Sequence, residues 1–238
     1  MTDTQKPSTM PVQPAVPDAA AYAAQRLNMV DSQVRPSDVT DRRIIRAMGS
    51  VPREAFVPGG LKAIAYMDNP ITLERGPNGR SLMEPRLFAK LVQAAEIPDS
   101  GRVLEIGSGT GYGLAVLVAM GCKVVGIEEN AEFVAAAQTA FANAGVSGAE
   151  VKSGTFAKGS PVDGPFDAII FSGSVPSIPP ALFDQLKNGA RLVAVTGNSP
   201  GSKAVVWVRS GTSFSQRDAF DATAAPLPGF ARAAQFVF

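Results

Sequence analysis

The sequence predicts an α/β protein built on a doubly wound, mostly parallel sheet, and three stretches carry that prediction. Val103, Leu104 and Ile106 surround the single carboxylate of Glu105, the composition of a strand buried on both faces. Gly107, Gly109 and Gly111 follow, a turn so poor in side chains that a ligand can lie against bare backbone. The apolar run Leu114 to Met120 then has helical length, with Gly121 as its stop. Lys123 to Glu128 and Phe166 to Phe171 are further short apolar strands. Strand, glycine turn, helix and strand in that order form half of a nucleotide-binding unit.

The remaining elements follow along the chain. Residues 1–17 hold four prolines among polar residues and read as a disordered tail. Residues 18–84 read as a helical and loop region that contacts substrate, and residues 85–238 as the main domain. Asp18 to Gln33 is Ala-rich and helical, with Leu27, Met29 and Val30 as its large apolar residues. Ser37 or Asp38 is expected to cap a second helix, whose Ile44, Ile45 and Met48 share a face that ends at Gly49. Six Gly or Pro between 59 and 84 indicate a long loop with one short strand pair, and loops of that length in compact domains tend to carry function.

Pro85 opens a helix whose Leu87, Phe88, Leu91, Val92 and Ala95 repeat on one face, so Phe88 is assigned to the core. Asn130 caps a helix from Ala131 to Asn143, and Ala149 to Lys152 forms a third strand. Loops Ser153–Phe156 and Ser172–Val175 leave the carboxyl ends of strands, where open α/β sheets bind ligands. Pro179-Pro180 starts a short helix through Leu186, and Asn188-Gly189 turns into a strand from Arg191 to Thr196. Ala204–Arg209 and Phe214–Phe220 read as an antiparallel hairpin, and Ala234–Phe238 as a last strand.

Composition removes several chemistries. The chain has no histidine, which excludes Ser-His-Asp and Cys-His hydrolysis and His-ligated metal sites. One cysteine, Cys122, can form neither an intrachain disulfide nor a Cys-based metal site, so no metal is expected and the cytoplasm is the expected compartment. The net charge is +1 with no run of Lys or Arg, which disfavours a nucleic-acid partner. No window has the apolar length of a membrane span.

The glycine spacing selects the nucleotide. A dinucleotide fingerprint needs two residues before its third glycine, whereas this chain reads Glu105-x-Gly107-x-Gly109-x-Gly111. That is the pattern of S-adenosylmethionine-dependent methyltransferases, so the fold class sharpens to a Rossmann-like class I methyltransferase sheet with an N-terminal helical addition and antiparallel C-terminal strands. Backbone N–H groups at Gly107, Ser108, Gly109 and Gly111 favour the cofactor's carboxylate, and Glu105 faces its amino and sulfonium side. Glu128, at the tip of the next strand, can accept both ribose hydroxyls, while Glu129 is read as a solvated acid at a helix start. Thr155 and Phe156 are candidates to border the adenine. Methyl transfer survives the loss of histidine because the cofactor brings its own leaving group, and an ionised carboxylate acceptor needs no base.

From about residue 27 to the end the chain resembles the protein-L-isoaspartate O-methyltransferases. The resemblance rests on Val51–Pro58, Tyr66-Met67-Asp68, Glu105–Tyr112, Ile127-Glu128, Pro165–Ile170, Ile178-Pro179 with Leu182, and Gln185–Val193. It implies esterification of L-isoaspartyl carboxylates in peptides or proteins. The substrate motif departs from the family's Thr-Ile-Ser, small or polar residue, Pro: here it is Ser81-Leu82-Met83-Glu84-Pro85. Ser81 replaces the Thr and is the candidate catalytic residue, Met83 stands where the family has Ser, and Glu84 adds a negative charge. The family's Gly-Asp-Gly is Gly154-Thr155-Phe156, and its Thr-Ala-Ala is Ser172-Gly173-Ser174. The expected function is O-methylation of a carboxylate. Two alternatives stay open: a relative that methylates another peptide or small-molecule acceptor, and a binding module of the same fold without catalysis.

Overall fold

A computed structural model describes residues 18–76, 79–197 and 201–230; the expected tail and the expected last strand lie outside these. Helix α1 (Ala19–Met29) is capped by Asp18, whose Oδ1 accepts from the Ala21 N–H at 2.8 Å, and it widens into a π-helical turn over Val30–Val34. Leu27 points outward while Met29 and Val30 are buried. Helix α2 (Arg42–Ser50) is not capped by Ser37 or Asp38. Asp38 is left-handed at φ 62°, and the cap is Asp41, which accepts from the Arg43 N–H at 2.7 Å. Four candidate capping residues within five positions made the cap illegible from pattern alone.

The long loop contains one antiparallel pair, β1 (Ile71–Thr72) and β2 (Ser81–Leu82). Helix α3 (Pro85–Ala94) follows, then β3 (Arg102–Ile106), α4 (Tyr112–Ala119), β4 (Lys123–Glu128), α5 (Ala131–Ala144) and β5 (Ala149–Ser153). After β6 (Phe166–Val175) come a one-turn α6 (Pro180–Phe183), β7 (Leu186–Thr196), β8 (Lys203–Ser210) and β9 (Ser213–Asp221). The seven-stranded sheet runs β5-β4-β3-β6-β7-β8-β9, parallel through β7, with β8 and β9 as the antiparallel hairpin. Strand order reverses at β3, between β4 and β6, which puts the ligand-binding crevice at the carboxyl ends of these three strands.

Period-two alternation gives each strand residues on two cores. Val103, Val124, Ala168 and Val193 share one core with Ile44 and Met48 of α2, Leu91 of α3, Leu117 of α4 and Phe141 of α5. Leu104, Ile106, Ile127, Ile169 and Phe171 face Phe156, Leu182, Leu227 and Phe230. The first core draws on the long helices and the second on short segments, so residues near 227 become part of the crevice wall.

Three boundaries differ from the sequence reading. Ser172–Val175 is not a loop but the end of β6, because Ser174 exchanges hydrogen bonds with residues near the C-terminus. Its N–H donates to the Ala225 carbonyl at 2.8 Å, and its carbonyl accepts from the Leu227 N–H at 2.9 Å. Helix α6 stops at Phe183 rather than Leu186, and Asn188-Gly189 lies inside β7. Here the Phe166 N–H donates to the Gln185 carbonyl at 2.7 Å, which starts the β6–β7 ladder early.

Gly111 has a packing role besides the one expected of it. It opens α4 at φ 90°, and a Cβ there would sit 2.7 Å from the Phe141 ring and 3.1 Å from Ala137. Its smallness serves the packing of α5. Gly111→Ala should therefore lower stability by about 1–3 kcal/mol from backbone strain alone, read by urea denaturation. A midpoint equal to that of the native chain would remove the packing role.

Candidate functional site

The crevice is built from the strand ends. Glu105 is the penultimate residue of β3 and Glu128 closes β4, and both are buried carboxylates. Room for Glu105 comes from Gly113 in the first turn of α4, where a Cβ would stand 2.1 Å from Oε1. That glycine was missed because a Gly inside a helical run reads only as a weak helix former. Glu105 accepts a short hydrogen bond from the Ser172 hydroxyl of β6. Its Oε2, and the Ser108 hydroxyl beside it, have no hydrogen-bond partner among the described residues. Both residues border a small cavity with Gly107, Gly109, Ser81 and Met83.

Burial pushes the Glu105 carboxyl up to about 7, opposed by the Ser172 hydroxyl and reinforced by the charge of Glu128. A pair of unsatisfied polar atoms over a glycine turn suits a ligand that brings an amino group and a carboxylate. These residues therefore fit S-adenosylmethionine: Glu105 and Ser108 toward its amino-acid end, and the backbone of Gly107 and Gly109, at φ 77° and 54°, along its flank.

Glu128 is fully buried and already satisfied. Its Oε1 accepts from the Asn130 N–H at 3.1 Å and its Oε2 from the Gly109 N–H at 2.8 Å. Arg80 then adds a two-pronged ion pair at 2.9 and 3.0 Å. Arg80 was missed: as one of three cations in a glycine-rich loop, with Lys62 and Arg75, it carries no pattern that points to Glu128, 48 residues away. Phe156 is buried beside Arg80, whose guanidinium lies 5.3 Å from its ring centre, while the Thr155 side chain is exposed. Glu129 is exposed as expected, and it also accepts from the Phe156 N–H at 2.9 Å, which holds that ring in place.

The substrate motif lies across the small cavity. Ser81, Met83 and Ser172 border it and also border a second cavity of about 420 Å³, together with Glu84 and Thr223. The motif's backbone is fixed from below by Arg53, wholly buried, which donates to the carbonyls of Met83 at 2.7 Å and Ala65 at 2.8 Å and lies 4.6 Å over the Tyr112 ring. Burial raises the Glu84 carboxyl above the ordinary range. Phe88 serves both core and site: it is buried, packs on Tyr112 and borders the small cavity.

Glu105 makes the ligand-free chain pH-sensitive. Its carboxyl is higher in the folded chain than its ordinary 4.5, so the folded state binds the extra proton between 4.5 and about 7. Its contribution to stability is complete below 4.5 and is lost as pH rises through about 7. Urea midpoints from pH 4.5 to 8 should show that decline in the native chain and a shallower one in Glu105→Gln. Parallel profiles would contradict the assignment.

Known proteins resemble this chain in sequence and in fold. The family model for Protein-L-isoaspartate(D-aspartate) O-methyltransferase (PCMT) matches residues 24–227. A protein-L-isoaspartate O-methyltransferase of Koribacter versatilis is 37% identical over 207 residues, 87% of this chain and 91% of the relative. One from Methanoculleus marisnigri is 39% identical over 173 residues, 73% and 77% of the two chains. A solved protein-L-isoaspartate O-methyltransferase superposes with a TM-score of 0.76 at 22% identity, covering 87% of this chain and 66% of that one. A Plasmodium falciparum β-aspartate methyltransferase, solved with S-adenosyl-L-homocysteine, gives 0.71 at 17% identity, covering 85% and 97%. These two structures share the fold, and the sequence matches carry the kinship: the chain belongs to the protein-L-isoaspartate O-methyltransferase family.

Proposed function

We propose that the chain is an S-adenosylmethionine-dependent O-methyltransferase that esterifies a carboxylate on a peptide or protein, with a preference altered from that of its relatives. One observation carries the reading: the cavity at the glycine turn and the 420 Å³ cavity meet at Ser81, Met83 and Ser172. A donor site and an acceptor site that share a wall of three side chains suit a direct transfer between the two ligands. When bound, the cofactor supplies a methyl group activated on a sulfonium. The chain's own part is to align and to exclude water. Glu105 and Ser108 orient the amino-acid end of the cofactor, Glu128 its ribose, and Phe156 borders its adenine; Ser81 donates a hydrogen bond to the acceptor, beside a Ser172 hydroxyl that is held by Glu105. No base is needed, since a carboxylate acceptor is already ionised at neutral pH.

The N-terminal region, residues 18–84, supplies one side of the acceptor cavity through Pro70, Ser81, Met83 and Glu84. A thioether cannot donate the hydrogen bond that a hydroxyl at position 83 would give. An ionised Glu84 on the cavity wall disfavours a second anion, while its protonated form donates to one. The acceptor favoured here is a carboxylate in a less anionic setting than the L-isoaspartyl site the relatives are named for.

Turnover of an L-isoaspartyl peptide by the native chain should therefore be weak, and it should rise as pH falls toward the elevated range of Glu84. Met83→Ser with Glu84→Gln should raise turnover by roughly a hundredfold, the scale of a corrected misplacement, and flatten that pH limb. Methyl transfer from labelled cofactor to an isoaspartyl peptide and its normal-aspartyl twin reads both effects. Robust native turnover at neutral pH, or no gain in the double variant, would contradict the altered preference.

A further inference from the structure

The cleft under the glycine turn is filled by the protein itself. The cavity bordered by Gly107, Ser108 and Gly109 holds about 10 Å³, at the lower limit for a single water molecule. Arg80 occupies the space between that turn and Glu128 with only 4% of its surface exposed. Its guanidinium grips both oxygens of Glu128, donates to the Gly107 carbonyl at 3.1 Å, and lies 5.6 Å from the Phe133 ring centre and 5.3 Å from that of Phe156. Leu227 closes the rest: a Cβ on Gly107 would stand 2.7 Å from its methyl group.

We propose that Arg80 is a latch on the cofactor cleft, occupying in the ligand-free chain the place on Glu128 that the ribose hydroxyls take when the cofactor binds. This rests on the reading of the cleft given above. The planar guanidinium matches a bidentate carboxylate as two adjacent hydroxyls do, and its flat faces meet aromatic rings as a purine would. Nothing of the cofactor's size enters until Arg80 leaves.

The latch is strong in contact yet weakly anchored. A buried ion pair is offset by the desolvation of both charges, so its net hold is far below its Coulomb attraction. The Arg80 backbone is tied by its carbonyl to the N–H groups of Leu73 and Glu74 at 2.8 and 3.1 Å, beside a β1–β2 ladder of two residue pairs. A ladder that short opens readily. Glu128 stays oriented after Arg80 departs, because the N–H groups of Gly109 and Asn130 still hold it. Apparent cofactor affinity then equals the intrinsic affinity multiplied by the fraction of chains with Arg80 out.

Titration of S-adenosyl-L-homocysteine into the full-length chain tests this, with thermal unfolding of each ligand-free form alongside. Arg80→Met keeps the stem and loses the charge, and Arg80→Lys keeps a charge without the fork and serves should the first variant not fold. Arg80→Met should bind about tenfold tighter or more, as an open fraction of about one in ten implies, and should melt lower without ligand because Glu128 loses its partner. Arg80→Lys should fall between it and the native chain. Weaker or unchanged binding in the variants would overturn the latch and make Arg80 a ligand contact or a bystander. Absence of binding in the native chain and all variants would overturn the cofactor reading with it.

Discussion

The buried carboxylate of Glu128 is the interaction on which the site depends. It sits at the end of β4 with no exposed surface, and it gathers three parts of the chain. Gly109 of the turn, Asn130 at the start of α5, and Arg80 from the long loop all donate to it. A charge so placed must be met by donors, since leaving one such partner missing costs about 3–5 kcal/mol. That requirement shapes both forms of the site. In the structure the protein supplies the donors through Arg80, and in the proposed exchange the ribose hydroxyls take its place.

The acceptor side depends on another buried charge. Arg53 is sealed beneath the substrate motif and spends its hydrogen bonds on two backbone carbonyls, those of Ala65 and Met83. Such an arginine acts as a strut: it fixes the backbone that carries Ser81 and Met83 without entering the chemistry. The residues above it can then change while the frame holds. Met83 and Glu84 line the larger cavity, which is where the proposed change of preference acts.

Local pattern made the sheet legible and left the closure of the site hidden. The strands at Val103, Lys123 and Phe166 lay in plain view because buried parallel strands need continuous aliphatic runs. Glu105, Gly107, Ser108 and Gly109 meet at one cavity as their spacing implied, with Ser81 and Met83 across from them. The β6 extension escaped notice because its partners, Ala225 and Leu227, are some 50 residues away and carry no strand pattern. Arg80 and Gly113 escaped for the same reason: each is defined by a carboxylate it meets in space. Thr155 looked equivalent to Phe156 in sequence, but the tight turn that buries the ring turns its neighbour outward.

The central claim is that Glu128 exchanges Arg80 for the cofactor's ribose. The most direct measurement is a crystal structure of the chain grown with S-adenosyl-L-homocysteine. The account predicts both ribose hydroxyls on the Glu128 carboxylate, the amino group against Glu105, and the Arg80 guanidinium outside the cleft. An intact Arg80–Glu128 pair with the ligand bound elsewhere would contradict it.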